Sequence, residues 1–100
     1  MVVFSKIDSS RGSLAGKFQP DELVALRVEI ETAIDANQNG RFVLTLSDLE
    51  MVNSALISLL LCSLRQAEKV QCQLSLSGVP QKLFDMARVG GVESILPFEK

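Results

Sequence analysis

Two apolar periods take turns along this chain, and their alternation limits the fold more than any single residue does. From Leu23 to Ile34 the residues Leu23, Leu26, Ile30, Ala33 and Ile34 recur at three- and four-residue spacing, which predicts a one-sided helix. Val24 and Val28 are expected to widen its apolar face, with Glu22, Arg27, Glu29, Glu31 and Thr32 opposite. From Val70 to Leu76 the apolar Val70, Cys72, Leu74 and Leu76 alternate with Gln71, Gln73 and Ser75, which predicts a strand. Arg41–Leu46 is nearly continuously apolar and reads as a central strand buried on both faces.

Local punctuation supplies the rest. Val2–Ile7 and Ser13–Phe18 read as two strands joined by the polar turn Asp8–Gly12. Pro20-Asp21-Glu22 opens the first helix, with its acids near the positive end of the helix dipole. Asn37-Gln38-Asn39-Gly40 closes it, because Asn and Gly tolerate the left-handed backbone of a helix end. Ser47–Asn53 reads as a short linker to a second helix over about Ser54–Glu68. Gly78 and Pro80 break the Val70–Leu76 strand. A third helix follows over Pro80–Arg88 with Leu83, Phe84 and Ala87 inward; Gly90-Gly91 stops it, and Val92–Leu96 is a short closing segment counted as a last strand. The order β-β-α-β-α-β-α-β implies an α/β fold. Its sheet is mainly parallel, with four to five strands, an N-terminal edge hairpin and a cover of helices, in one domain spanning residues 1–100.

Composition narrows the function. Hydrophobic residues make up 47% of the 100 residues, enough for a core and too many for a disordered chain. Ten Lys and Arg against 12 Asp and Glu leave a formal charge of -2, so there is no basic footprint for nucleic acid. With no His in the chain, His-based acid–base chemistry and His metal sites are excluded, and neither Cys62 nor Cys72 has the usual activating base. No glycine-rich phosphate loop occurs, and Gly90-Gly91 follows a helix rather than a strand. The carboxylates are scattered. A non-enzymatic protein without cofactor or metal is expected, with both thiols reduced in apolar surroundings. The opening MVVFSKIDSS does not read as a signal peptide. Ala55–Leu64, interrupted by Ser58 and Ser63, falls short of the roughly 20 residues of a membrane span. A soluble, cytoplasmic protein is therefore expected.

The second helix carries the one unusual pattern. At about 100 degrees per residue, Leu56, Leu59, Leu60, Ser63, Leu64 and Ala67 share an inward face, while Ser54, Ser58, Leu61, Cys62, Arg65 and Lys69 point outward. Asn53 or Ser54 can cap the helix, and capping alone would account for both. Ser54, Ser58 and Leu61 also form a flat strip of small residues around an apolar centre, suited to a docked partner. The candidate partner-binding set is Asn53, Ser54, Ile57, Ser58, Leu61 and Arg65.

The stretch from Thr45 to Leu61, TLSDLEMVNSALISLLL, resembles the STAS domain, the fold of anti-sigma-factor antagonists and of sulfate-transporter tails. The resemblance covers nearly the whole chain and implies a STAS (SpoIIAA-like) architecture. In that family a phosphorylatable Ser or Thr follows an acidic residue at the start of a helix. These positions fall on Ser54 and Asn53, the strand-end Asp falls on Thr45, and the usual glycine pair on Ala55-Leu56. Ser54 is thereby the implied phosphorylation site, without the acidic neighbours. Within the family the leucine-rich Ser58–Ala67 and the segment Val79–Pro97 are most similar to the MlaB-like group. That likeness implies an accessory subunit that binds and supports the ATPase of a phospholipid or organic-solvent-tolerance ABC transporter, reaching the inner membrane only through that complex. The alternative it leaves is an anti-sigma-factor antagonist, phosphorylated on Ser54 by an anti-sigma kinase. Either reading implies a protein partner, no nucleic acid and no membrane insertion, and leaves a homodimer open.

Overall fold

The computed structural model describes residues 2–17, 19–51 and 53–98. Among the described residues four strands and three α-helices follow one another as β1 (Val2–Asp8), β2 (Arg11–Lys17), α1 (Leu23–Asp35), β3 (Arg41–Met51), α2 (Ser54–Lys69), β4 (Gln73–Ser77) and α3 (Gln81–Val89), with a 3-10 turn at Pro20–Glu22 before α1. The strands lie in the order β1-β2-β3-β4. The hairpin β1–β2 is antiparallel, whereas β2–β3 and β3–β4 are parallel, so the sheet is mainly parallel with an antiparallel edge. Helical crossovers of this kind are what parallel neighbours require.

Alternation along the strands sets the layers. Leu14, Phe42, Leu44, Leu46, Leu74 and Leu76 are buried and join Leu26, Ile30, Ile34, Leu56, Leu59, Leu60 and Leu83 from the helices in one core. Each such side chain contributes roughly 1.5–3 kcal/mol when fully buried. The intervening Ser13, Ala15, Val43, Thr45, Ser75 and Ser77 are half-buried, in keeping with a sheet face that no helix covers among the described residues. Gly12 is buried at the core end of the hairpin, and a Cβ there would stand 2.7 Å from Cε1 of Phe4 and 3.1 Å from Cζ of Phe42. The two rings close over the glycine, 6.5 Å apart between centroids. Asn37 does more than end α1: its Nδ2 donates to the carbonyls of Ala33 and of Ser9, both at 2.8 Å, and so ties the helix end to the β1–β2 turn. Asn39 takes the left-handed backbone, φ 60°, and donates its N–H to Val70 O.

Several sequence expectations are corrected. Arg41–Leu46 is central but buried on one face only, because no helix covers the side carrying Val43 and Thr45. Ser47–Asn53 is not a linker: β3 continues to Met51, paired with β2 through Asp48, Leu49 and Met51. Thr45, expected at a strand end, therefore sits mid-strand between Ser13 and Ser77. Val24 and Val28 do not widen the buried face of α1; they are 73% and 60% exposed. β4 starts at Gln73, since Gln71 takes φ 58° and Val70 ends α2. Val92–Leu96 forms turns rather than a strand, and the last sheet contact is the isolated bridge Leu76↔Phe98. Phe84 is half-buried against Phe98, not fully inward. Phe18 and Val52 lie outside the described residues.

Candidate functional site

The extension of β3 to Met51 brings the sheet almost directly to the start of α2, at the carboxyl ends of the parallel strands. Asn53 is extended, φ -151° and ψ 177°, and its Oδ1 accepts from the Leu56 N–H at 3.1 Å. The cap is thus Asn53, and Ser54 is free of that task. Ser54 is the first residue of the helix, is exposed, and its hydroxyl makes no hydrogen bond among the described residues. It stands beside backbone N–H groups that a helix start leaves without intrahelical acceptors. Such a position tolerates negative charge.

The remaining candidates divide by exposure. Ser58 is exposed and its hydroxyl donates to the Ser54 carbonyl at 3.4 Å; Arg65 is exposed one turn or two further along. Ile57 and Leu61 are half-buried and pack against the core. Leu61 was expected to point outward, and this is a correction: it lies on the flank of α2 shared with Ile57 and Leu64, where the core partly covers it. Leu64, expected inward, is half-buried for the same reason, as is Cys62, expected outward. The flank of α2 towards α1 is occupied, since Gln66 Nε2 donates to Asp35 Oδ1 at 2.6 Å. The exposed outer side of α2 is a narrow strip through Ser54, Ser58 and Arg65, edged by Ile57 and Leu61.

Inside the helix, Ser63 is fully buried, and its hydroxyl donates to the Leu59 carbonyl at 2.9 Å. Both thiols are free, and burial pushes that of Cys72 up from its ordinary value. Among the described residues no group of His, Cys, Asp and Glu could hold a metal ion, and no helix is long and apolar enough to cross a membrane. A cleft of about 750 Å³ lies where β4 meets α3 and the C-terminal segment, lined by Val79, Gln81, Phe84, Glu93, Leu96 and Phe98. Two of its polar groups serve neighbours: Gln81 Nε2 donates to Asp85 at 2.9 Å and Glu93 accepts from Arg88 at 3.1 Å. A second, smaller cleft at the opposite end of the strands contains Arg11 and Arg41, which sequence reasoning missed. They are far apart in the chain, and only the strand register brings them together.

The comparisons with known proteins bear on the family and the fold. The family model described as "MlaB, STAS domain" matches residues 6–97. Among solved structures, the unphosphorylated form of the anti-sigma factor antagonist SpoIIAA is 15% identical with a TM-score of 0.74, covering 100% of this chain and 89% of that one. An anti-sigma-factor antagonist (STAS) domain protein from Planctomyces limnophilus is 14% identical with a TM-score of 0.70, covering 97% and 87%. At such identities these two likenesses concern the fold alone. No curated protein sequence matches significantly. The family match over nearly the full chain makes it a member of the STAS domain family, a non-catalytic protein-interaction module.

Proposed function

We propose that this chain is a partner-switching regulator of the anti-sigma-factor-antagonist kind, which docks its protein partner on the strip at the start of α2 and is released by phosphorylation of Ser54. The observation that carries the reading is the exposed Ser54 hydroxyl, unbonded among the described residues, on the first turn of α2 while Asn53 does the capping. A side chain with no structural task, at a helix start, is accessible to a kinase and to a docking surface alike. Asparagine caps through the same oxygen that an aspartate would use, but adds no negative charge. A phosphoryl group on Ser54 Oγ would therefore meet helix N–H groups without a carboxylate beside it. It would still oppose docking by bulk and desolvation against an apolar or acidic partner. On this reading the protein works in the cytoplasm.

A second reading has its own support in the family model, whose description is that of MlaB. It takes the same strip as the contact with the ATPase of a phospholipid-transport ABC system, with Ser54 as a docking hydroxyl. The two part on one experiment. A photo-crosslinker at position 58 captures the partner, which is purified and mixed with the protein and ATP. The regulator reading expects a kinase that transfers one phosphoryl group to Ser54 and none to Ser54→Ala. A transporter ATPase that binds the strip and leaves Ser54 unmodified would replace it with the second reading.

A further inference from the structure

The uncovered face of the sheet holds a site unconnected with α2. Arg11 of β2 is in register with Val43 of β3, and Arg41 lies two residues before Val43 on the same face, in register with Gln73 of β4. The two guanidinium side chains are therefore diagonal neighbours across adjacent strands, at the amino ends of β2 and β3. With Ser10, Val43, Gln73 and Ser75 they line a cleft of about 380 Å³, at the small end of ligand pockets. Among the described residues no carboxylate lines it. Asp8 is the acidic residue nearest in register, paired opposite Arg11, and its Oδ1 accepts from the N–H and the hydroxyl of Ser10, at 2.8 and 3.2 Å. Neither Arg11 nor Arg41 forms an ion pair among the described residues, whereas Arg27 and Arg88 both do.

Like charges directly opposite on a sheet are destabilising, and diagonal neighbours such as these stay within reach of each other through long side chains. Here two stand together in a chain whose net charge is -2, with acids available elsewhere. An anion between them would remove that repulsion. Guanidinium groups present planar pairs of N–H donors that match the oxygens of phosphate, and two of them balance a dianion. Gln73 brings an amide and Ser75 a hydroxyl to the same cleft.

We propose that this cleft binds a phosphate monoester, held by Arg11 and Arg41. The ester can be a free small molecule or the headgroup of a lipid, and two probes distinguish them: glycerol 3-phosphate in solution, and vesicles of phosphatidylcholine with and without phosphatidic acid. Glycerol 3-phosphate is titrated into the labelled protein at constant ionic strength and followed by the backbone amide signals in NMR. Saturable shifts are expected at residues 10–12, 41–43 and 73–75, with none at Ser54. The double variant Arg11→Gln/Arg41→Gln, with an unchanged melting curve, should bind at least tenfold more weakly. Co-sedimentation with phosphatidic acid vesicles, lost in the double variant, would identify the lipid source; binding of the soluble probe alone would identify a free ester. Should the double variant be misfolded, the single variants Arg11→Lys and Arg41→Lys keep the charge and lose the planar fork, and each should still weaken binding. Neither probe binding, shifts centred on the start of α2, or affinity indifferent to these substitutions would overturn the proposal.

Discussion

The two faces of α2 are built on different rules. On the inner face Leu56, Leu59 and Leu60 are fully buried, and even the polar Ser63 has its hydroxyl satisfied within the helix. On the outer strip Ser54, Ser58 and Arg65 are exposed, and Ile57 and Leu61 are only partly covered. The inner face is specified by volume, so changes there act on stability. The outer strip has little to hold in place, so changes there are free to act on binding. A helix that separates the two can change its partner chemistry without losing its fold.

The separation is broken most easily from the inside. Leu60→Ala should cost roughly 2–5 kcal/mol in urea unfolding, the range for a buried leucine truncated to a cavity. Leu61→Ala should cost about 1 kcal/mol, in keeping with half the burial; equal losses would erase the distinction between the faces. Gly12→Ala tests the same core from the hairpin side. Its Cβ must displace the rings of Phe4 and Phe42, and overpacking of that kind costs about 1–3 kcal/mol. Asn53→Ala removes the cap and should cost about 0.5–2 kcal/mol. Ser54→Ala should stay within about 0.5 kcal/mol of the parent, as a surface change does. If Ser54→Ala costs as much as Asn53→Ala, then Ser54 is part of the cap after all. The smallest effect is chemical. Cys72 is 6% exposed and its thiol is raised by burial, so Cys62 should react first with a thiol reagent. Because burial disfavours the thiolate, Cys72 carries no penalty while the thiol is protonated in both states, and stability declines as pH rises past the ordinary thiol range.

Much of this was legible in the residues, and the exceptions have physical causes. The two periods placed the helices and most of the strands along the chain, because burial on one side leaves a mark at every second or every third and fourth residue. Val24 and Val28 misled because apolar residues also occur on surfaces, and nothing local tells a covered flank of a helix from an exposed one. Ser47–Met51 passed for a linker because Ser47, Asp48 and Glu50 are polar; the pairing with β2 that makes it a strand is a tertiary fact. The start of α2 was readable down to the choice between Asn53 and Ser54, which only the geometry of the hydrogen bond decided. Leu61 was misread because a wheel assigns direction but not the depth of the neighbouring core. The cleft at Arg11 and Arg41 left no signal in either period, since its members come from three strands and the β1–β2 turn.

The central claim is that Ser54 belongs to a docking surface and not to the scaffold. The most direct measurement is calorimetric titration of the partner captured at position 58 against folded wild type, Ser54→Ala and Ser54→Asp. Unchanged melting curves are expected, with modest weakening for Ser54→Ala and at least tenfold weaker binding for Ser54→Asp. Wild-type affinity in Ser54→Asp, with the fold intact, would contradict the claim.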